Sequence, residues 1–263
     1  MTSPQSAHNL FHAFYANFEA RFGVLEYNDE LHEYRIGDKV LQSITHKKAE
    51  LLRPFDSEGI SKNTARKRGC SQELVLAEWK AIADCGTQIH ELLEAVMMNG
   101  AIQRPTDHSQ YSKIAHERFH AYKLRGIPAM MVLKIRARGL IPVACELKVW
   151  CGDYAGTIDL LVYDPQFGVF RVLDWKTNAK GFHEEIGAYD VPMKAPFAQW
   201  YTGHLREYSV QLESYASMLA NVGFPMGDGL IIHGWFDAVD NYCEVWPTDS
   251  KMRPIAKQWL NLL

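Results

Sequence analysis

The sequence predicts an α/β (α+β) fold, in which β-strands lie among helices. Three consecutive strands are predicted in the middle of the chain, at residues 143–150, 157–163 and 169–177, because these segments are rich in β-branched and aromatic residues. Helical patterns come before them, and two more strand-like segments follow. With 263 residues, 47% of them hydrophobic, the chain can bury a sizeable core as one elaborated domain.

The N-terminal part of the chain contains a helical pattern and a hairpin. Apolar residues at helical spacing within residues 10–22 form a wide stripe, which is expected to pack on the core, although docking to a partner fits the same pattern. Residues 26–40 predict a hairpin with Gly37 near its turn. We expect residues 1–85 to be an N-terminal addition that packs on a core formed by residues 86–263.

Two helical regions lead up to the strands. The pattern from Ser71 to Met98 predicts a helix that stops at Asn99-Gly100. Gly86 lies inside this region, where it either permits close approach to the sheet or marks a break between two helices. Residues 110–138 predict one or two helices, interrupted near Gly126.

The second and third central strands contain aspartates among apolar residues. Residues 157–163 are nearly all strand formers apart from Asp159, and they end at a cluster of turn residues. Asp174 lies in the strand that returns from this turn. A carboxylate in a buried strand is costly unless it is ionised and paired with a metal or with hydrogen-bond donors.

These aspartates form part of a pattern that suits a metal site. Glu146 lies in the first central strand, and Lys176 follows Asp174 by two residues, so that both side chains point to the same face of the strand. Carboxylates can hold a divalent metal, and an ammonium group beside them can act on a phosphate. Exposed acids on an open sheet face are the alternative, but that alternative explains neither the lysine nor the glycine at position 156.

The C-terminal part of the chain contains a long irregular segment and a second pair of strands. Residues 178–207 are rich in aromatic residues, and we predict that Trp200 and Tyr201 stack on bases of a nucleic acid, although packing as a covering loop fits equally well. Residues 229–236 and 242–246 predict a hairpin that closes the sheet, before a terminal helix from about Ser250.

The net charge of −3 gives no global sign of nucleic-acid binding, so that such binding must depend on local patches. The segment 61–69 has four basic residues and no acidic one. A second basic run lies between residues 111 and 138. Runs of this kind are usually solvated helix faces, but beside a phosphate site they are candidates for gripping a nucleic-acid backbone. The predicted contacts in the first run are Lys62, Arg66, Lys67 and Arg68.

Other features of the sequence argue against several classes of protein. Five scattered cysteines do not predict a disulfide framework in a chain of this size. No apolar run has the length needed to cross a membrane. The N-terminus lacks the features of a signal peptide, and it is poor in the arginines of a mitochondrial presequence. We therefore expect a cytoplasmic protein rather than one of the mitochondrial matrix.

Four motifs occur in an order that resembles one nuclease family. They are G-x-x-x-H-x-x-x-E at Gly86–Glu94, G-x-x-D at Gly156–Asp159, D-x-K at Asp174–Lys176 and Q-x-x-x-Y at Gln211–Tyr215. The set resembles the PD-(D/E)xK nuclease superfamily, and in particular its RecB-type exonuclease branch, over about half of the chain. The hairpin and the segment Ser43-Ile-Thr45 are similar to the opening of phage and mitochondrial exonucleases of this group.

The resemblance implies a central mixed β-sheet flanked by helices, with N-terminal helical and hairpin additions. It implies a metal-dependent exonuclease that acts on DNA ends or single strands in a bacterial or phage-infected cell. A recombination or replication protein is the partner that the resemblance suggests. An endonuclease of the same fold, or an inactive DNA-binding protein that has kept the fold, are the alternatives. No G-x-x-x-x-G-K-[ST] motif is present, so any helicase motor would be a separate chain.

Each motif residue has an expected role. Carboxylate oxygens favour Mg²⁺ or Mn²⁺, with Asp159, Asp174, the carbonyl of Trp175 and His90 as expected ligands. Lys176 would steer the attacking water or neutralise charge on the phosphate. The other expected catalytic residues are Glu146, which either binds the metal through a water molecule or orients that water, and Gln211 and Tyr215, which contact the lysine's surroundings or DNA phosphate. Some relatives hold an iron–sulfur cluster through a cysteine trio after the last motif, but only Cys243 follows it here, so no cluster is expected.

Overall fold

One mixed sheet runs through this computed structural model, which describes residues 14–28, 31–98, 110–177, 182, 186–187 and 190–262. Its strands are β1 (Glu26–Asn28), β2 (Glu33–Ile36), β3 (Lys39–Ser43), β4 (Ile141–Cys151), β5 (Tyr154–Asp164), β6 (Val169–Lys176), β7 (Leu230–Phe236) and β8 (Asn241–Pro247). The order across the sheet is β1-β2-β3-β5-β6-β7-β8, with β4 also paired to β5. The β3–β5 and β6–β7 pairs are parallel, and the other pairs are antiparallel.

Helices cover both faces of this sheet. They are α1 (which includes residues 14–22), α2 (Ile44–Ala49), α3 (Ser57–Arg68), α4 (Gln72–Met97), α5 (Lys113–Leu124), α6 (Ile127–Arg136), α7 (His204–Asn221) and α8 (Arg253–Trp259). One core cluster joins α1 and α7 to one face, and a second joins α4, α5 and α6 to the other. The predicted fold class, a mixed sheet flanked by helices, is therefore confirmed.

The central strands lie close to their predicted positions because their apolar residues have two core faces to fill. On β6, Phe170 and Val172 pack in the first cluster, whereas Leu173 and Trp175 pack in the second. A strand buried on both faces has few places for a charged residue. The carboxylates on these strands therefore mark positions where burial is offset by specific contacts.

Beside Glu146 the alternation of faces changes on β4 and β5, in addition to the bulge at Pro142–Ala144 of β4. Cys145 packs in one core cluster and Leu147 in the other, although residues two apart on a regular strand share a face. Leu160 and Ile158 show the same change on β5. Glu146 lies between Cys145 and Leu147, and its φ of +50° accounts for the change of face on β4.

The N-terminal hairpin is part of the same sheet. Strands β1, β2 and β3 form an antiparallel meander, and Gly37 occupies the turn with a φ of +56°, a conformation that glycine adopts easily. Strand β3 then pairs in parallel with β5 at Gln42 and Ser43. The hairpin therefore delivers the start of α2 to the edge of the central strands.

Helix α4 is continuous through Gly86, so a break between two helices is not what this glycine provides. Ser71 caps the helix, its hydroxyl accepting a hydrogen bond of 3.2 Å from the backbone N–H of Leu74. A Cβ at position 86 would lie 3.6 Å from the hydroxyl oxygen of Thr177. Gly86 therefore lies where the helix passes the end of β6, and α4 runs across the expected boundary at residues 85 and 86.

The remaining predictions about elements are also confirmed within the described residues. Gly126, with a φ of +71°, separates α5 from α6, and β7 and β8 form the predicted hairpin. Phe14 and Phe22 of α1 are buried in the core, so the described part of this helix packs on the sheet. The beginning of its stripe and the predicted stop at Asn99-Gly100 lie outside the described residues. No helix in the described part of the chain has the length and apolar character needed to cross a membrane.

Candidate active site

The histidine of α4 meets the two central strands at the end of β6. The Nε2 atom of His90 lies 3.0 Å from the carbonyl oxygen of Trp175, which can only accept, so this hydrogen bond requires a proton on Nε2. The Nδ1 atom lies 3.4 Å from Oδ2 of Asp159. The same Oδ2 accepts a hydrogen bond of 3.1 Å from the backbone N–H of Trp175. Three of the four predicted metal ligands are therefore in mutual contact.

Asp174 and Lys176 form a buried ion pair on β6. The Nζ atom of Lys176 lies 2.7 Å from Oδ2 of Asp174, which confirms that the two side chains share a face. Burial, reinforced by the nearby Asp159, raises the pKa of Asp174 to about 7, and Lys176 only partly opposes this. Burial alone would lower the pKa of Lys176, but Asp174 and Asp159 raise it above its ordinary value. The ammonium group therefore stays charged.

Glu146 lies beside this cluster in a strained conformation. The pairing of Cys145 with Leu160 and of Leu147 with Ile158 places Glu146 opposite Asp159. Its φ of +50° is uncommon for a residue other than glycine, and such strain is concentrated at functional sites. The kink in β4 therefore lies at the residue opposite Asp159.

Helix α7 contributes one face to the site. Gln211 and Tyr215 lie one turn apart, and Nε2 of Gln211 donates to the Tyr215 hydroxyl oxygen at 3.4 Å. Tyr215 is buried, which raises its pKa above the ordinary value. A Cβ at Gly156 would come within 2.4 Å of the Tyr215 ring. The ring of Tyr215 therefore occupies the space that a side chain at position 156 would need.

Two residues that the motifs did not indicate also belong to this cluster. Lys48 of α2 donates from Nζ to Oε1 of Gln211 at 2.9 Å, and burial, followed by repulsion from Lys176, lowers its pKa to about 8. The Nζ atom of Lys176 lies 4.5 Å from the centre of the Tyr208 ring, and that of Lys48 lies 5.4 Å from it. Tyr208 could have been found by its helical spacing to Gln211.

The predicted nucleic-acid contacts on α3 differ from one another in their surroundings. Lys62 pairs with Glu58 at 2.5 Å, and Arg68 makes two bonds of 2.6 and 2.8 Å with Glu78. Arg66 and Lys67 are exposed on the last turn of the helix, and no described acidic side chain pairs with them. These two therefore have the greater capacity to bind a phosphate backbone.

The predicted stacking residues Trp200 and Tyr201 are both half-buried. Trp200 packs near Phe197, with ring centres 6.0 Å apart, and its indole N–H donates to Asp249 at 2.8 Å. Tyr201 forms an isolated bridge with Pro192. These contacts favour the alternative in which the segment packs as a cover over the core. Base stacking by these two rings stays a prediction.

The donor set of the cluster suits a hard divalent cation. With its proton on Nε2, a neutral His90 directs the Nδ1 lone pair at a carboxylate oxygen of Asp159, and a cation would relieve this contact. The Oδ2 atom of Asp174 is buried and has the Lys176 ammonium 2.7 Å away, which leaves this oxygen a further lone pair for a cation. Within the described ranges, no three His, Cys, Asp or Glu side chains are already arranged as a metal cage. The residues fit the metal as separate donors on three elements.

Comparisons with protein-family models and with curated proteins found no match to this chain. The function proposed for the site therefore depends on the chemistry of its own residues and on the order of its motifs.

Proposed function

We propose that this protein is a metal-dependent nuclease that hydrolyses phosphodiester bonds in DNA. The observation that supports this most strongly is the buried Asp174–Lys176 pair, which lies beside Asp159 and next to a histidine. Keeping an ammonium group and two carboxylates out of water is costly, and a role in structure alone would be served as well by apolar residues. Perturbed groups that converge in this way are typical of active sites.

The carboxylates and the histidine would hold the cation. Asp159 and Asp174 would bind it directly, with the Trp175 carbonyl and His90 as further donors. When bound, Mg²⁺ or Mn²⁺ would lower the pKa of a water molecule and neutralise negative charge on the phosphate. Glu146, held opposite Asp159 by its kinked strand, is placed to orient that water.

The two lysines would act on the phosphate group. Lys176 stays charged and would stabilise the negative charge that develops as the phosphodiester bond is attacked. Lys48, held by Gln211 and 5.4 Å from the centre of the Tyr208 ring, supplies a second positive charge. Two ammonium groups beside two aspartates give a site that can bind a phosphate and a cation together. This combination distinguishes a nuclease site from a simple cation site.

The exonuclease assignment is the finer part of the proposal. It is supported by the order of the four motifs, which resembles that of RecB-type exonucleases. The substrate would be DNA ends or single strands, in the cytoplasm of a bacterial or phage-infected cell. The exposed Arg66 and Lys67 would contact the DNA backbone away from the cut.

Digestion of end-labelled single- and double-stranded DNA tests the proposal, with Mg²⁺, Mn²⁺ and EDTA compared. Lys176→Ala and Asp174→Ala are each expected to lower the cleavage rate by about 10²–10³-fold or more, in line with the loss of one group that stabilises the transition state. Lys257→Ala removes an exposed lysine on α8 and serves as the matched control. Stepwise loss of nucleotides from one end would establish the exonuclease and its polarity.

Other outcomes would replace this proposal. Cleavage of a closed circular DNA would show an endonuclease of the same fold. Binding of DNA without any cutting by the wild type, under either metal, would show that the site has been kept for binding alone.

A further inference from the structure

An apolar groove lies on the side of α6 that faces away from the sheet. It has a volume of about 440 Å³ and is lined by parts of α4, α5 and α6. Leu93, Pro128 and Val132 form its buried floor, while Val96 is 41% exposed and Leu133 is 60% exposed on its walls. A groove of this size takes side chains and not a whole domain. Exposed apolar surface that is gathered in one place marks binding sites.

The groove exists because α6 is apolar on two faces. Ile127, Met131 and Ile135 are fully buried against the sheet, where Gly234 of β7 allows the helix to approach closely. Ala129 and Leu133 are exposed and, with Val132 at the edge of the core, form a second apolar face that is open to the groove. Because the first face is fixed to the sheet, the wall formed by the second is rigid. The groove is therefore formed in the absence of a partner.

The rim of the groove is basic. Lys123 stands at one end and Arg136 at the other, both exposed, and no described acidic side chain pairs with either of them. From Arg118 to Arg138 the sequence has no acidic residue. Nucleic acid would have its phosphates at the rim but nothing polar to contact on the floor. A segment with apolar side chains between acidic ones would satisfy both.

We propose that this groove binds a short acidic peptide segment of a partner protein, which inserts two large apolar side chains between Lys123 and Arg136. Such a partner would be held close to the active site, because Val96 lies six residues along α4 from His90, a rise of about 9 Å. The proposal does not depend on the nuclease function, since its surface shares no residue with the site.

Selection of peptides from a random dodecamer library, displayed on phage, tests the proposal. The library is selected on the wild-type protein after depletion on Val96→Glu, which places a charge on the groove wall. Val96 is 41% exposed, so this change should be tolerated by the fold, and a urea unfolding curve of the variant checks it. The expected peptides have a net negative charge and at least two large apolar residues.

Fluorescence anisotropy with one selected, labelled peptide then measures how much the apolar wall and the basic rim of the groove each contribute to peptide affinity. Val96→Glu and Arg136→Glu are each expected to weaken binding tenfold or more, equivalent to about 1.4 kcal/mol. Leu124→Glu is the matched control, because Leu124 is 87% exposed and does not line the groove. Cleavage of DNA by Val96→Glu should equal that of the wild type, so that this test and the nuclease test can fail separately.

Three results would overturn the proposal. The first is a selection that yields no peptide sensitive to Val96→Glu, or only neutral or basic peptides. The second is a wild-type oligomer, seen by sedimentation, that Val96→Glu dissociates, because the groove would then bind a second copy of this chain. The third is a single-stranded oligonucleotide that displaces the peptide, which would make the rim a nucleic-acid surface.

Discussion

Helix α7 separates two groups of buried charges that differ in how completely they are paired. On one side of the helix, Glu213 is fully buried and all of its partners are present. Its carboxylate accepts hydrogen bonds from the Thr248 hydroxyl, from the Gly229 N–H at 3.4 Å and from Nε of Arg253 at 2.6 Å. Arg253 also donates to the carbonyls of Met226 and Gly227, at 2.9 and 2.7 Å. This group ties α7 to α8 and to the start of β7.

The other side of α7 faces the candidate active site, where pairing is incomplete. Oδ2 of Asp174 is paired with the Lys176 ammonium at 2.7 Å, whereas the Glu213 carboxylate accepts from three separate groups, and burial raises the pKa of the Asp174 carboxyl to about 7. Lys48 is buried beside a second lysine, with a pKa lowered to about 8. The comparison shows that this fold can satisfy a buried charge fully. The carboxylates at the site therefore have fewer donors around them than Glu213 has, as is expected where a cation is to bind.

The largest effect on stability is expected on the fully paired side. Glu213→Gln removes the charge and leaves Arg253 with only the half-exposed Asp228 carboxylate, 3.9 Å away, so the free energy of unfolding should fall by about 3–5 kcal/mol. Urea denaturation measures this change. Glu58→Gln, which breaks an exposed pair with Lys62, is the matched control and should cost less than about 1 kcal/mol. Equal small effects for both would show that the Glu213 group does not stabilise the fold.

Lys48→Met should have the opposite effect, because it removes a charge that the fold holds out of water. A pKa lowered from 10.5 to about 8 corresponds to a cost of about 3 kcal/mol at neutral pH, so the variant should gain up to that amount of stability. On the proposed function its rate of DNA cleavage should fall as well, since Lys48 is a proposed phosphate contact.

The pH dependence of stability checks the same prediction. Between pH 8 and 10.5 the unfolded wild type binds more protons at Lys48 than the folded protein does, so the wild-type free energy of unfolding should rise with pH in this window. Lys48→Met should lack that rise. A variant that is less stable than the wild type at pH 7 would contradict the assigned cost.

Some of this arrangement follows from the sequence, and some of it does not. The D-x-K spacing on a strand predicts that Asp174 and Lys176 share a face, and the Q-x-x-x-Y spacing on a helix predicts the same for Gln211 and Tyr215, because both depend only on local geometry. Lys48 is 163 residues from Gln211 in the chain, and their contact depends on β3 pairing beside β5. Strand order is set by packing of the whole sheet, and no local pattern specifies it.

The kink at Glu146 and the space at Gly156 were beyond sequence reasoning for a related reason. A strand pattern predicts regular alternation, whereas the φ of +50° at Glu146 reverses it in the middle of β4. Gly156 is needed because a ring from another element occupies the position of its side chain. Such departures from regular structure are most common at functional sites.

Gly156→Ala tests the candidate active site against the Glu213 group in another way, because it disturbs the site without removing a charged side chain. The added methyl group would overlap the Tyr215 ring, at a cost of about 1–3 kcal/mol in stability, and displace Gln211 with it. On the proposed function, the rate of DNA cleavage should fall as well. In the double variant Gly156→Ala/Tyr215→Leu the overlap is removed, so the two effects on stability should be less than additive. Strict additivity in urea denaturation would mean that the two residues do not contact each other.

The smallest effect on stability is expected from exposed charges, which contact neither the Glu213 group nor the candidate active site. Arg66→Ala/Lys67→Ala should leave stability unchanged within about 0.5 kcal/mol but weaken DNA binding in a salt-dependent way. If both residues contact phosphates, the slope of log affinity against log salt concentration should fall by about 1.5, as expected for two lost contacts. Lys251→Ala/Lys257→Ala removes two exposed lysines elsewhere and should keep the wild-type slope. Equal slopes for all three proteins, from anisotropy titrations at several salt concentrations, would remove α3 from the DNA-binding surface and leave the buried lysines as the phosphate contacts.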